Sequence, residues 1–153
     1  MVYYKKITAV YEKFCVKEPG PGCEYLNLKM FNSPETIFET FSYLTNETKE
    51  HFMTLHLDAN LKILCMDTVS IGSLSSSQVH PREVFKTALL SSAHSLVLMH
   101  NHPSGGCNPS AEDINITRKL IAGGKLLGIK IVDHIIIGEG FYSFRDHGFN
   151  MEG

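Results

Sequence analysis

Hydrophobic and polar positions along the 153-residue chain follow two rhythms, helical and alternating, and the changes of rhythm mark the elements. Ile37, Phe38, Phe41 and Leu44 recur at helical spacing behind Ser33-Pro34-Glu35, a serine cap with proline in the first helical position. They predict a helix ending near Thr45-Asn46. Two short runs, Phe52 to Leu57 and Leu61 to Met66, flank Asp58-Ala59-Asn60 and predict an antiparallel hairpin whose second arm stays extended from Thr68 to Ile71. Gly72 to Ser77 reads as a loop. Pro81 opens a second helix with Val84, Phe85, Ala88, Leu89 and Ala93 on one face. Leu96-Val97-Leu98-Met99 is apolar without interruption, as in a strand covered on both faces. From Ser110 to about Leu127 the positions of Ile114, Leu120, Ile121 and Leu127 suit a third helix, with Gly123-Gly124 expected to weaken its far end. Ile129 to Ile137 is β-branched and predicts a strand, and Phe141 to Phe144 the last one.

Ahead of these elements, residues 1–30 offer a candidate strand in Ile7 to Val16 and the breaker cluster Pro19-Gly20-Pro21-Gly22. They are expected to form an extension packed on a domain that spans residues 31–153. Hairpin-linked strands beside helix-linked ones predict an α/β fold, an α+β mixed sheet covered by helices. In such sheets ligands gather at the carboxyl ends of central strands.

Composition narrows the function classes. Apolar residues make up 43% of the chain, enough for a real core in one domain. No apolar run is long enough to span a bilayer, and Met1-Val2-Tyr3-Tyr4-Lys5-Lys6 lacks the layout of a secretory signal, so a cytoplasmic location without membrane partners is expected. Cys15, Cys23, Cys65 and Cys107 show no C-x-x-C spacing, which excludes a zinc ribbon and suits reduced thiols. With a formal net charge of −2 there is no global positive field to draw the chain onto nucleic acid.

Chemistry concentrates in His100-Asn101-His102-Pro103-Ser104-Gly105, directly after the buried apolar run. Of the eight histidines only His100 and His102 stand in an H-x-H pair. On extended backbone two such side chains share a face, their bases about 7 Å apart, so both rings can converge on one metal ion. Asp113, at the start of the third helix, can add an oxygen ligand, giving two nitrogens and one oxygen, a set that suits zinc with a position left for water. Ser110 and Asp113 also form S-x-x-D, a capping-box pattern that satisfies free backbone N–H groups. Both roles are compatible at Ser110.

The combined pattern, with His100-x-His102-Pro103, Ser110 and Asp113, resembles the JAMM signature of MPN/JAB-domain metalloproteases. Val79-His80-Pro81-Arg82-Glu83-Val84-Phe85, His100 to Gly105, and Leu127-Gly128-Ile129 through Asp133-His134-Ile135-Ile136-Ile137-Gly138 are closer still to the RadC-like branch. The resemblance covers roughly residues 35–148 and implies a JAB/MPN-like, cytidine-deaminase-like three-layer architecture. It implies zinc, or another divalent metal, on His100, His102 and Asp113, and an upstream glutamate as general acid/base. Glu50, just before the first sheet strand, occupies that place; Glu83 competes but is more simply a favourable charge at a helix N-terminus. Ser110 is then the oxyanion donor, and the expected activity is that of a metallopeptidase or isopeptidase on a peptide or protein substrate.

Departures from the pattern are specific. Asn101 stands where deubiquitinating relatives have serine, and Gly106-Cys107 replaces a more usual acidic residue and proline. Ser104 is the candidate outer partner of the histidines. RadC proteins carry a further N-terminal helical region for which this chain leaves no room, so a stand-alone catalytic-type domain is expected. They also bear a DNA-repair label, and the alternative is a DNA-repair-associated or nucleic-acid-linked accessory protein with a zinc site of structural or unproven catalytic role. A nucleobase deaminase is excluded, since its H-x-E and P-C-x-x-C motifs are absent.

Overall fold

The structure, a computed structural model, describes residues 30–72 and 79–153. The candidate strand at 7–16, the breaker cluster and most of the loop at 72–77 lie outside the described residues. Helix α1 (Pro34–Phe41) starts as its residues dictate: Ser33 Oγ accepts the Thr36 N–H at 3.4 Å, and Pro34 fills the first turn. Its buried positions, Ile37 and Phe41, lie one turn apart, and a 3₁₀ turn (Ser42–Asn46) ends it where expected.

Strands β1 (Glu50–Leu57) and β2 (Ile63–Gly72) form the hairpin. Leu61, expected in the second arm, instead takes a left-handed turn conformation with φ of 62°. Asp58 sets that turn, its Oδ1 accepting the N–H groups of Asn60 and Lys62 at 2.8 and 2.9 Å. Helix α2 (Pro81–Leu90) is capped by His80 Nδ1 and stops three residues before Ala93, which is buried from the following turn rather than from the helix. Leu89, expected inward, is 56% exposed.

Strand β3 (Ser95–Asn101) is buried at every position. Helix α3 (Ala111–Leu127) and strand β4 (Lys130–Ile137) follow, and the short β5 (Phe141–Ser143) closes the sheet. Gly123 and Gly124 do not weaken α3. They let it approach its neighbours: a Cβ at Gly124 would meet the Ile129 carbonyl oxygen at 2.3 Å, and one at Gly123 the Phe85 ring at 2.9 Å. Close packing outweighs the propensity cost of roughly 1 kcal/mol per glycine.

The five strands are ordered β2-β1-β3-β4-β5, with β3 and β4 parallel and the other pairs antiparallel. This is the mixed sheet covered by helices that the pattern predicted. One face packs Phe52, Leu96, Leu98 and Ile136 against α2 and α3; the other packs Met53, Leu55, Val97 and Met99 against α1. Each such side chain contributes roughly 1.5–3 kcal/mol of burial, so strand register is strongly fixed on both faces. The crossover from β3 through α3 to β4 brings the carboxyl end of β3 and the N-terminus of α3 to the same edge of the sheet. No helix among the described residues is long and apolar enough to cross a membrane.

Candidate metal centre

At that edge the chain assembles a polar cluster from three elements. His100, continuing the side of Leu96 and Leu98, points from β3 toward α3, and Phe52 of the neighbouring strand lies parallel to its ring at 6.0 Å between centroids. His102 follows on the same side, its main-chain N–H extending the sheet to the Ile137 carbonyl at 2.9 Å. Asp113 occupies the third position of α3, where the helix dipole favours an anion. The ligand atoms of His100, His102 and Asp113 all lie within 4.8 Å of one another, a group able to hold a metal ion. His100 Nε2 and His102 Nε2 are 3.0 Å apart.

The two oxygens of Asp113 have different lives. Oδ2 accepts the main-chain N–H and the hydroxyl of Ser110, each at 2.7 Å, while Ser110 Oγ accepts the Asp113 N–H at 3.1 Å. The capping box is therefore present, and it orients the carboxylate. Oδ1 is buried with no hydrogen-bond donor, although His100 Nε2 stands 3.2 Å away. A buried carboxylate oxygen left without a donor is costly, and a cation at the focus of the two imidazoles would satisfy it. The residues present thus fit a metal.

Electrostatics agree with that reading. Burial alone would raise the Asp113 carboxyl, but its contacts with His100 and His102 and the Ser110 hydroxyl hold it well below the usual carboxylate range. The Asp113 carboxylate in turn pushes the His102 imidazole up against the opposing effect of burial, and the charge of Glu50 adds to the push. Glu50 is half-buried at the first position of β1, near enough for its charge to be felt at His102. Glu83, the competing candidate, has a side chain 44% exposed that is ion-paired with Lys86 at 2.6 Å and Arg82 at 3.3 Å on its own helix.

Asn101, wholly buried and lying between His100 and His102 in the chain, ties the cluster to Glu50. Its Oδ1 accepts the His51 N–H at 2.8 Å, and its Nδ2 donates to the Lys49 carbonyl at 3.1 Å, bracketing Glu50 from both sides. The outer partner of His102 is the Gly106 carbonyl, which faces Nδ1 at 2.9 Å. That of His100 is His134 in β4, whose Nε2 lies 2.9 Å from His100 Nδ1. Neither partner is Ser104. Burial pushes the His134 imidazole well below its ordinary value, helped by the neighbouring His100. His134 stands in the sequence only within the RadC-like stretch, with no role assigned; its signal is a polar Asp133-His134 pair interrupting an otherwise β-branched strand. Cys107 packs against the core beneath α2 and α3.

The loop carrying the centre is locked to the β4–β5 turn. Glu139 N–H donates to the Gly105 carbonyl at 2.7 Å, and a Cβ at Gly138 would lie 2.3 Å from that same oxygen.

A family profile for the RadC-like JAB domain matches residues 31–149. The chain belongs to the RadC-like JAB domain family. Among its relatives, a UPF0758 protein of Methanosarcina mazei is 53% identical over 124 residues, covering 79% of this chain and 54% of the relative. A UPF0758 protein of Methanosarcina acetivorans is 55% identical over 119 residues, covering 76% and 52%, and one of Geotalea uraniireducens is 52% identical over 124 residues, covering 80% and 54%. This chain spans about half the length of the curated relatives it matches. The residues matched by the family profile include His100, His102 and Asp113, the group able to hold a metal ion.

Proposed function

We propose that this RadC-like JAB domain is a zinc-dependent hydrolase of the JAMM type that cleaves peptide or isopeptide bonds in a peptide or protein substrate. The observation that carries the reading is the buried, donorless Oδ1 of Asp113 beside His100 Nε2 at 3.2 Å, with His102 Nε2 3.4 Å from the other oxygen of the same carboxylate. Two nitrogens and one oxygen leave one position of a tetrahedral shell open, the arrangement of catalytic rather than structural zinc. Zinc, when bound, supplies Lewis acidity and lowers the pKa of a coordinated water to about 7.

The chain's own groups do the rest. His100, His102 and Asp113 hold the ion. Glu50 removes a proton from the attacking water as its oxygen bonds to the carbonyl carbon, and returns that proton to the nitrogen as the C–N bond breaks. Asn101 fixes the backbone on which Glu50 rides. Ser110 supplies the donor to the developing oxyanion, its O–H turning from Asp113 Oδ2 toward the substrate.

The test is zinc content together with peptidase activity in wild type, His100→Ala and Glu50→Gln. Glu50→Gln is expected to keep zinc and lose at least about a hundredfold in turnover, while His100→Ala loses both. A Glu50→Gln protein with full zinc and full hydrolysis would eliminate Glu50 as the base.

A further inference from the structure

We propose that Thr117 and His134 form a buried hydrogen-bond relay that fixes His100 in the tautomer whose Nε2 lone pair faces the metal position. The inference rests on the reading of His100, His102 and Asp113 as a metal centre, and it assigns to Thr117 and His134 a positioning role outside that ligand set.

The polarity of the relay follows from its one unambiguous end. A main-chain carbonyl only accepts, so Thr117 Oγ1, 2.6 Å from the Asp113 carbonyl oxygen, spends its single proton there. Thr117 can then offer only a lone pair to His134 Nδ1, also at 2.6 Å, and His134 must carry its proton on Nδ1. The other nitrogen of that ring, Nε2, is left as an acceptor 2.9 Å from His100 Nδ1. His100 therefore donates from Nδ1 and keeps its Nε2 bare.

That polarity leaves the His100 Nε2 lone pair beside Asp113 Oδ1, 3.2 Å away, where a cation fits between the two acceptors. Thr117 and His134 are both 0% exposed, with His134 stacked on Phe144 at 5.0 Å and met edge-on by Phe52 at 5.5 Å, so water has no access to substitute for either. The relay begins and ends on one residue: Asp113 offers Oδ1 to the ion and its main-chain carbonyl to Thr117, one helical turn on. Histidine ligands usually lean on a carboxylate or carbonyl. A neutral imidazole in that place orients the ligand without adding negative charge, leaving the bound ion more electrophilic.

The experiment uses the full chain, zinc-depleted and ¹⁵N-labelled at about pH 8, above the ordinary imidazole range. Long-range ¹H–¹⁵N correlations read the His100 tautomer directly, and zinc titration reads affinity. Wild type should show Nδ1–H at His100. His134→Phe keeps the ring but has no acceptor; it should lose the single tautomer and weaken zinc roughly 10–100-fold. His134→Gln, which restores an acceptor oxygen near Nε2 and a donor near Thr117, should recover most of both. If His134→Phe does not fold, Thr117→Val, equal in shape and lacking the hydroxyl, carries the test through the same two readouts. Nε2–H at His100 in the wild type, or unchanged tautomer and affinity in His134→Phe or Thr117→Val, overturns the relay. The two readings fail separately: zinc uptake with His100 as Nε2–H defeats the relay alone, whereas Nδ1–H without zinc uptake defeats the metal centre and leaves the relay standing.

Discussion

Two histidine clusters sit on the same face of the sheet at opposite ends, and only one is built for a ligand. At the far end His56 lies 1% exposed, its Nδ1 donating to Ser91 Oγ at 2.7 Å, since that hydroxyl already donates to the Ala88 carbonyl. Its Nε2 takes the Thr54 hydroxyl at 3.0 Å, and Cys65 Sγ closes the group at 3.4 Å. Every lone pair of that ring has a proton, and every proton an acceptor. At the near end His100 and His102 are held just as firmly from behind, by His134 and the Gly106 carbonyl, but their front nitrogens meet the two oxygens of one carboxylate, and Oδ1, the oxygen beside His100, is reached by no donor. Burial of a histidine is thus uninformative by itself. The mark of a ligand site is a rigid polar group with its accounts left open on one side.

The sharpest way to break the comparison is to remove one residue from each end. Asp113→Ala should abolish stoichiometric zinc, measured by elemental analysis of the purified protein, because it deletes the one oxygen ligand. His56→Ala should leave zinc content unchanged and lower stability by about 1–3 kcal/mol in denaturant unfolding, from the Thr54 hydroxyl and Cys65 thiol that lose their ring partner. Asp113→Ala with full zinc would mean that the ligand assignment is wrong. Zinc loss in His56→Ala would mean that the two ends are not independent.

A smaller effect is expected from Gly138→Ala, which touches neither cluster. Its Cβ would lie 2.3 Å from the Gly105 carbonyl, so the loop after His102 must move off the β4–β5 turn. Overpacking of this kind costs about 1–3 kcal/mol. Since Gly106 in that loop holds His102 Nδ1, zinc affinity by competition titration should weaken with stability while the His56 end stays intact. Unchanged affinity would show that His102 is positioned by the strand alone.

Much of this contrast was legible in the residues, for reasons that differ by element. His100, His102 and Asp113 stood out because their spacing crosses a strand end and a helix start, and local geometry at those two places is set by nearby sequence. The hairpin and the fully apolar β3 were legible from periodicity for the same reason. Asn101, Thr117 and His134 were not assigned roles, because each acts through a partner far along the chain: Lys49 and His51 for Asn101, and β4 against α3 for the others. Gly123 and Gly124 were misread in the same way. Propensity sees a weak helix, whereas the Ile129 carbonyl and Phe85 ring that require glycine belong to elements brought together only by the fold.

The gentlest test is pH, because His102 titrates in the opposite sense to His56 and His134 in zinc-free protein. Burial pushes His56 down, partly offset by Asp67, and His134 is pushed down as well. A histidine with a depressed folded value contributes stability that is whole above its unfolded value, about 6.5, and is lost as pH falls below it. His102 is raised by Asp113, so its contribution is whole below about 6.5 and is lost as pH climbs through the raised value. Zinc-free protein should therefore melt highest between about pH 6 and 7 and decline on both sides, as measured by calorimetry. Saturating zinc should remove the alkaline decline, because ligation requires His102 without its Nε2 proton and so grows stronger as pH rises. Asp113→Asn, which takes away the carboxylate that raises His102, should flatten the alkaline limb of the zinc-free profile and leave the His56 part of the acid limb where it was, while His134, which that carboxylate also raises, is pushed further down. An alkaline limb that persists in Asp113→Asn would place its origin outside the His102–Asp113 pair.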